Sequence, residues 1–291
     1  MKKKIKVGCL GAGVLGAAII ERLIASDFEV QMWNRDRLKL QPLELLGGKI
    51  LPNPKSVAEC ADVVIICVTD HVAVKELLYG DDGLFAANQI IPDVIIDMST
   101  CDVNETKRIA DDVRTKHGIL WLDAPISGGA PAAREGRMTI MVGGDQAAFE
   151  SVAPIWSSLG GQVTRMGDSG SGQATKMINQ LLVSSGLVIL AEACALAETL
   201  GIDVVKIPSA LQGGRADSYQ LQEMFPKMAR SEHTITATAN IMLKDLSMIA
   251  NLFQENGLDL SMVRETKRAF SALKDRGWGD RDTSELINLY R

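Results

Sequence analysis

A glycine-rich stretch near the N-terminus is the feature that most limits what this chain can fold into. Gly11, Gly13 and Gly16 lie between an apolar run at residues 5–10 and a helical pattern at residues 14–24. A strand, a glycine turn and a helix in this order are typical of a dinucleotide-binding fold. Gly11 allows the tight turn, Gly13 lets the backbone approach a pyrophosphate, and Gly16 lets the helix pack closely on the strand. The stretch therefore predicts a cofactor site at the start of this helix.

The same region has one competing interpretation. A lysine-rich start at residues 1–4, followed by mostly apolar residues 7–20, could imitate a signal peptide. Lys6 interrupts that run, Glu21 and Arg22 close it, and glycine at this density makes a poor apolar helix. The dinucleotide interpretation is therefore favoured.

The end of the second predicted strand, residues 29–33, indicates which dinucleotide is preferred. Folds that prefer NAD place an acidic residue at about this distance past the last glycine, where it binds the ribose 2′-hydroxyl. This chain has Asn34 and then Arg35, a neutral side chain beside a guanidinium suited to a 2′-phosphate. We expect NADP(H) to be preferred, with NAD(H) possible.

Composition narrows the classes of protein to consider. The chain has 291 residues, 46% of them hydrophobic and 23% charged, which suits about two soluble domains. A net charge of −5 argues against nucleic acid as a partner. The apolar segment at residues 181–191 is too short to span a membrane, which needs about 20 residues. Five cysteines without paired spacing predict reduced thiols and a cytoplasmic protein, and three scattered histidines predict no metal site.

The order of predicted elements indicates the fold class. Strand patterns alternate with helical patterns in the first half of the chain. The strand patterns lie at residues 5–10, 29–33, 62–68, 94–98, 120–123, 138–142 and 163–166, and the helical patterns lie at 14–25, 72–78, 104–116 and 145–159. This alternation predicts an α/β fold with a Rossmann-type, doubly wound, mostly parallel sheet. Past residue 166 the patterns are helical: a long helix to about residue 200, apolar nearly all round and expected to be buried, and others at 203–211, 220–229, 235–255, 261–275 and 282–290. We predict an NADP-binding domain at residues 1–166 and an all-helical substrate and oligomerisation domain at 167–291.

Two stretches directly after predicted strands carry candidate ligand groups. Ser99 and Thr100 follow a strand whose carboxyl end should face the ligand crevice, and their hydroxyls could bond cofactor or substrate. They could equally cap the helix that follows. In Ser127-Gly128-Gly129, accessible backbone N–H groups could form an anion-binding nest for a carboxylate, although a plain tight turn would use the same residues.

Two stretches in the helical half carry charged groups. Lys176 and Asn179 are three residues apart, so they share a face of the long helix. A lysine buried in an apolar helix is costly unless it is paired or functional, and burial lowers its pKa towards the range for proton transfer at neutral pH. The alternative is a lysine whose ammonium reaches solvent from the first turn. Lys244 and Asp245 lie mid-helix, where an exposed charged pair would look the same.

Taken together, these stretches resemble the β-hydroxyacid dehydrogenase family, which includes 3-hydroxyisobutyrate dehydrogenase, tartronate semialdehyde reductase and the glyoxylate/succinic semialdehyde reductases. The resemblance covers essentially the whole chain. Five motifs carry it, in the family's order and spacing: GAGVLG, DMST, DAPISGG, GSGQATKMIN and KDL.

The resemblance implies reversible hydride transfer between NADP(H) and a small β-hydroxy acid or its semialdehyde, with the helical domain closing over the nicotinamide in a homodimer or homotetramer. It implies that Lys176 is the catalytic lysine, with Asn179 beside it, and that Ser127, Gly128, Gly129 and Gln180 contact substrate. The cofactor contacts expected from the fingerprint and the resemblance are Gly11, Gly13, Val14, Leu15, Gly16, Asn34, Arg35, Val68, Thr69, Thr100 and Lys244.

One position departs from the common family pattern. Many members have a second asparagine where this chain has Gln180. The Asn-Gln pair is similar to the tartronate semialdehyde reductase branch, but Arg215 and Asp217 replace small apolar residues there. Two other functions remain to be weighed. Imine reductases share the fold but generally lack the lysine, and a non-catalytic NADPH-binding protein would not need it.

Overall fold

The computed structural model describes residues 5–89 and 92–291. The lysine-rich start that could imitate a signal peptide, residues 1–4, lies outside the described residues. The chain divides into two compact units, Met1–Lys176 and Met177–Arg291.

The first unit is built on a nine-stranded sheet, as the strand and helix alternation predicts. Its strands are β1 (Lys6–Leu10), β2 (Glu29–Trp33), β3 (Lys49–Ile50), β4 (Val63–Ile66), β5 (Val94–Asp97), β6 (Leu120–Asp123), β7 (Ile126–Ser127), β8 (Met138–Gly144) and β9 (Gly160–Gly167). The order is β3-β2-β1-β4-β5-β6-β8-β7, with β9 paired to β8. Strands β1 to β6 are parallel, whereas β8 runs antiparallel to β6 and β7. The predicted doubly wound, mostly parallel sheet is confirmed.

Helices cover both faces of this sheet. They are α1 (Val14–Ala25), α2 (Gln41–Leu45), α3 (Pro54–Ala58), α4 (His71–Tyr79), α5 (Val103–His117), α6 (Gly129–Arg134), α7 (Gln146–Ser151) and α8 (Ala153–Leu159). One apolar core lies under α1 and α8, and the other lies under α4 and α5. Alternate residues of a strand supply the two cores: Val7 and Cys9 face the first, and Leu10 faces the second.

Helices make up the second unit. A single long helix, α9 (Ser171–Thr199), enters it, followed by α10 (Ile207–Leu211), α11 (Tyr219–Arg230), α12 (Ala239–Glu255) and α13 (Ser261–Asp275). The segments Val204–Lys206 and Thr283–Leu289 are 3-10 helices, where α-helix was predicted. Phe225, Met228, Phe270 and Leu273 are among its fully buried side chains.

Two predicted helices differ from the structure, and two strands were missed, each for a local reason. The helix predicted over residues 145–159 is two helices, because Pro154 begins a new first turn after Val152. Helix α12 begins at Ala239, not near residue 235, since Thr238 caps it. The strands β3 and β7 were not predicted, because two residues carry no readable periodicity.

Helix α9 departs from the expectation that it is buried all round. It is 29 residues long, and its most apolar 18-residue window has a mean hydropathy of 1.8 but is only 39% buried. By length and composition it could cross a membrane, unlike the shorter segment considered from the sequence, although core helices of soluble proteins pass the same test. Leu182, Ile189 and Leu196 are more than half exposed on its surface, so an apolar stripe of this helix faces outward.

Candidate functional site

The strand order of the first unit places the fingerprint at the point where ligands bind in doubly wound sheets. From β1 the chain proceeds outward to β2 and β3 on one side, and then returns to β4 on the other side. The loops at the carboxyl ends of the strands diverge at such a reversal and leave a crevice. The loops after β1, β2, β4 and β5 carry most of the residues predicted to bind the cofactor.

The glycine loop has the geometry that the fingerprint predicts. Gly11 has φ of +104°, and a Cβ there would lie 2.3 Å from the Cys67 carbonyl oxygen. A Cβ on Gly16 would lie 2.2 Å from the Gly11 carbonyl oxygen, so α1 can pack this closely only with glycine. A Cβ on Gly13 meets nothing within 4 Å. Gly11 and Gly16 are therefore required by the fold itself, whereas Gly13 borders open space at the start of α1.

The residues after β2 have two different tasks. Asn34 Oδ1 accepts from the Ala12 backbone N–H at 2.9 Å, and Asn34 Nδ2 donates to the Asp36 carbonyl at 2.8 Å. Asn34 thus ties its own loop to the glycine loop. Arg35 is exposed at the carboxyl end of the strand, where its guanidinium is available to an anion.

The loops after β4 and β5 are joined by one hydroxyl. Ser99 Oγ accepts from the Val68 backbone N–H at 3.0 Å, and Thr69 Oγ1 donates to Asp70 at 3.1 Å. Thr100 is half-buried beside them. The cap of α5 is Asp102, not Ser99 or Thr100, since its carboxylate accepts from the first backbone N–H groups of that helix. The alternative in which these hydroxyls are helix caps is therefore wrong.

Two buried carboxylates lie side by side at the ends of β5 and β6. Asp97 and Asp123 are paired in the sheet register and are 1% and 0% exposed. Burial raises the pKa of Asp97 to about 7, against hydrogen bonds from Ser99, and the nearby Asp123 charge raises it further. Burial also raises the pKa of Asp123 to about 6, against backbone hydrogen bonds from Gly170 and Gln173.

Asp123 and the Gln173 side chain anchor the start of α9. Asp123 accepts from the backbone N–H of Gly170 at 2.7 Å and of Gln173 at 2.9 Å, so a carboxylate caps this helix across the sheet edge. The Gln173 side chain donates to the Ser99 carbonyl at 2.8 Å and accepts from the Cys101 N–H at 3.1 Å. Lys176, in the second turn, is only 8% exposed. It is therefore a mostly buried lysine on a firmly held helix.

The loop after β6 has features of both an anion-binding nest and a plain tight turn, the two interpretations of Ser127-Gly128-Gly129. Ser127 belongs to β7 and pairs with Thr139 of β8, so it is held by the sheet. Gly128 and Gly129 are exposed and have φ of +113° and +64°, which favour glycine at both positions. Gly128 is the N-cap of α6 and provides no side-chain hydrogen bond to that helix. Consecutive left-handed residues turn the backbone sharply here, in front of a helix start.

In the second unit, the predicted residues Gln180 and Lys244 meet at one carboxylate, and Asn179 bonds to Gln180. Asp245 is 2% exposed, and its Oδ2 accepts from Gln180 Nε2 at 2.6 Å. Its Oδ1 lies 3.5 Å from the Lys244 ammonium, and Asn179 Nδ2 donates to Gln180 Oε1 at 3.0 Å. The charged pair considered from the sequence is therefore buried at its acidic end, not exposed.

Four residues of these networks were not predicted as site residues: Asp97, Asp123, Gln173 and Asp245. Each stands inside a motif that was singled out for another residue, near Ser99, Ser127, Lys176 and Lys244 respectively. A polar residue inside an otherwise apolar or glycine-rich motif is the signal that could have identified them, since burial demands a partner.

The first unit fits a dinucleotide on its own geometry. A helix start without a side-chain cap, open space in front of Gly13 and an exposed Arg35 suit a pyrophosphate and a 2′-phosphate.

Comparison with known families agrees with this geometry. Residues 6–167 match the NAD-binding domain of 6-phosphogluconate dehydrogenase, and residues 170–290 match the NAD-binding family model of NADP-dependent 3-hydroxyisobutyrate dehydrogenase. Together the two models cover nearly the whole chain.

Individual proteins are similar over their full length. A protein of Arabidopsis thaliana named probable 3-hydroxyisobutyrate dehydrogenase-like 2, mitochondrial, is 33% identical over 99% of this chain and 94% of its own. The 2-hydroxy-3-oxopropionate reductase of Escherichia coli is 31% identical, over 97% of this chain and 96% of its own. The crystal structure of 3-hydroxyisobutyrate dehydrogenase from Salmonella typhimurium has the same fold, with a TM-score of 0.88 at 24% identity over 98% of this chain and 100% of that chain. The chain therefore belongs to the β-hydroxyacid dehydrogenase family, NAD(P)-dependent oxidoreductases that act on CH–OH groups.

Proposed function

We propose that this protein interconverts a small β-hydroxy acid and its semialdehyde with NADP(H). The substrate would be of the 3-hydroxyisobutyrate, tartronate semialdehyde or glyoxylate/succinic semialdehyde type. The observation that carries the proposal is Lys176, a buried lysine on a helix whose start is held by Asp123 and Gln173. A fold tolerates the desolvation of an ammonium group where a bound substrate or a partner compensates it.

Each predicted group has a defined task in this reaction. Bound NADP(H) would supply or accept the hydride. Lys176 gives its proton to the substrate oxygen as the carbonyl becomes a hydroxyl, and takes it back in the opposite direction. Asn179, three residues further on the same helix face, binds that oxygen. Ser127 and the backbone of Gly128 and Gly129 would bind the substrate carboxylate and so fix the position of the reacting carbon.

The preference for NADP(H) is supported by Arg35. Its guanidinium is exposed at the end of β2 and can bind a 2′-phosphate as a fork, whereas no acidic side chain follows β2 directly to bind a ribose hydroxyl. We expect Arg35→Ala to lower kcat/KM with NADPH by about 10-fold or more, as for the loss of a charge-assisted pair, and to change the value with NADH little. A parent enzyme that prefers NADH would refute the assignment.

The reaction is tested by measuring NADPH oxidation with each substrate of a panel of four: glyoxylate, succinic semialdehyde, tartronate semialdehyde and methylmalonate semialdehyde. Lys176→Ala should reduce turnover by about 10²–10⁴-fold, the range for a general acid–base group. Lys116→Ala is the matched control, because this exposed lysine pairs with Asp112 on α5. Activity of the Lys176 variant within a few fold of the parent would exclude the mechanism.

The same panel separates the two other functions. Reduction of cyclic imines without any semialdehyde turnover would indicate an imine reductase. Tight NADPH binding without oxidation by any compound would indicate a non-catalytic NADPH-binding protein.

A homo-oligomer, dimer or tetramer, is part of the proposal. Leu182, Ile189 and Leu196 repeat every seven residues along α9 and are 69%, 53% and 60% exposed. Such an apolar stripe is typical of a helix that packs against a second copy. We place the protein in the cytoplasm, since none of its five cysteines, all of them within the described residues, forms a disulfide.

A further inference from the structure

A short chain of buried amide and carboxylate groups runs through the second unit. Asp245 and Gln180 are 2% and 6% exposed, and both have partners there. Gln180 Nε2 donates to Asp245 Oδ2 at 2.6 Å and lies 3.8 Å from Met242 Sδ. Gln180 Oε1 accepts from Asn179 Nδ2 at 3.0 Å. Both ends of the Gln180 amide are therefore engaged by protein groups.

The chemistry of these groups sets the direction of the whole chain. An ionised carboxylate only accepts hydrogen bonds, so Gln180 must turn its NH₂ group towards Asp245. Its carbonyl then points the other way, and only the NH₂ end of Asn179 can bond to it. The orientation of a carboxamide is ambiguous for an isolated asparagine. Here Asp245 determines the orientation of the Asn179 carboxamide through two hydrogen bonds, with Gln180 between them.

We propose that Gln180 is a positioning residue, which Asp245 holds so that it orients the Asn179 carboxamide towards the substrate oxygen instead of binding substrate itself. The inference rests on the proposed function, in which Asn179 touches the reacting group. It also accounts for glutamine at a position where an asparagine would be shorter by one methylene.

A double-mutant cycle tests this coupling. Gln180→Leu keeps the volume but removes both hydrogen bonds, and misorientation of Asn179 should lower kcat by about 10- to 100-fold. In an Asn179→Ala background the same substitution should change kcat by less than about 2-fold, because nothing remains to be oriented. If the two effects multiply in the double variant, Gln180 acts on substrate directly and the inference is wrong.

Gln222→Leu is the matched control. Gln222 Nε2 also donates to a carboxylate, Asp217 Oδ1, at 2.7 Å, and it lies in the same unit on α11. Its loss should leave kcat within about 2-fold of the parent.

A second measurement does not depend on activity. With ¹⁵N-asparagine labelling, the side-chain NH₂ signal of Asn179 is identified by its absence in Asn179→Ala. Gln180→Leu should shift this signal in the protein without substrate, and Gln222→Leu should leave it in place; an unshifted signal in the Gln180 variant would overturn the inference. If the parent reduces no semialdehyde, the proposed function fails while this signal still decides the positioning. If Gln180→Leu does not fold, Asp245→Asn serves as the test variant. An amide at position 245 can donate as well as accept, so it no longer fixes the orientation of Gln180. The same Asn179 signal should therefore shift in this variant.

Discussion

Substitution of Gly13 by alanine separates the cofactor site from the fold. An added Cβ meets no protein atom within 4 Å, and the backbone of Gly13, at φ −67° and ψ −174°, is open to any residue. Alanine is a slightly poorer helix cap than glycine, by up to about 1 kcal/mol, but it restricts the unfolded chain by a similar amount. The free energy of unfolding should therefore change by less than about 1 kcal/mol.

Binding of the cofactor should respond very differently. The open space in front of Gly13 is where the pyrophosphate is expected, so the methyl group would occupy the ligand's position. Overpacking of this kind costs about 1–3 kcal/mol, which corresponds to an NADPH Kd raised by roughly 5- to 150-fold. Titration calorimetry with NADPH measures this loss directly.

Gly16→Ala is the informative contrast. Its Cβ would lie 2.2 Å from the Gly11 carbonyl oxygen, a backbone atom that cannot rotate away, so α1 must move. A clash with a fixed backbone atom should cost about 2–3 kcal/mol, the upper part of the overpacking range. Alanine recovers about 1 kcal/mol through its higher helix propensity, so we expect a net loss of about 1–2 kcal/mol in the free energy of unfolding. Thermal unfolding should thus be lowered in the Gly16 variant and nearly unchanged in the Gly13 variant. If Gly13→Ala binds NADPH within twofold of the parent, the cofactor does not approach this loop and the reasoning is refuted.

Three further results are expected. Burial raises the pKa values of Asp97 and Asp123 in the folded protein to about 7 and about 6. Folding therefore takes up protons between pH 4 and pH 7, and the free energy of unfolding should fall as pH rises through this window. The loss is up to about 1.4 kcal/mol for each unit of difference between the folded and unfolded pKa of a carboxyl group. Urea unfolding at pH 4.5 and pH 7.5 measures this, and Asp97→Asn should flatten the dependence. Asp282 is fully buried and accepts hydrogen bonds from two backbone N–H groups and a hydroxyl within 3.0 Å. Asp282→Ala should therefore lower the free energy of unfolding by about 3 kcal/mol or more. A melting temperature within about 2 °C of the parent's, roughly the effect of 1 kcal/mol or less, would contradict a structural role for this carboxylate. Leu182→Glu combined with Ile189→Glu should convert the proposed oligomer to a monomer in light scattering, whereas an unchanged mass would exclude the α9 stripe as the contact.

Local patterns predicted some elements to the residue. Helix α1, strand β2 and helix α13 have the predicted bounds, since glycine, turn residues and clear periodicity mark both of their ends. The two-residue strands β3 and β7 exist only because neighbouring strands pair with them. A two-residue strand that forms only because a neighbouring strand pairs with it has no alternation of apolar and polar residues in its own sequence.

The candidate site divides in the same way. Gly11 and Gly16 could be predicted because a strand–turn–helix unit needs glycine there for local reasons. The tie between Asn34 and Ala12 could not, because a side chain suited to a ribose is also suited to a backbone N–H. Likewise, the exposed stripe on α9 follows from which faces the rest of the unit covers, not from the apolar composition of the helix.

By itself, the sequence determined the family, the two-part organisation and the class of chemistry, because ordered motifs record which residue types a reaction and a cofactor need. Only the tertiary structure decided how those residues are held: Asp123 grips the start of α9 from 47 residues away, and Asp245 holds Gln180 across 65 residues. A buried polar group must find a partner, but the partner is chosen by the packing of whole elements. The motif therefore predicts which lysine reacts, and the folded chain determines what holds the helix of that lysine in place.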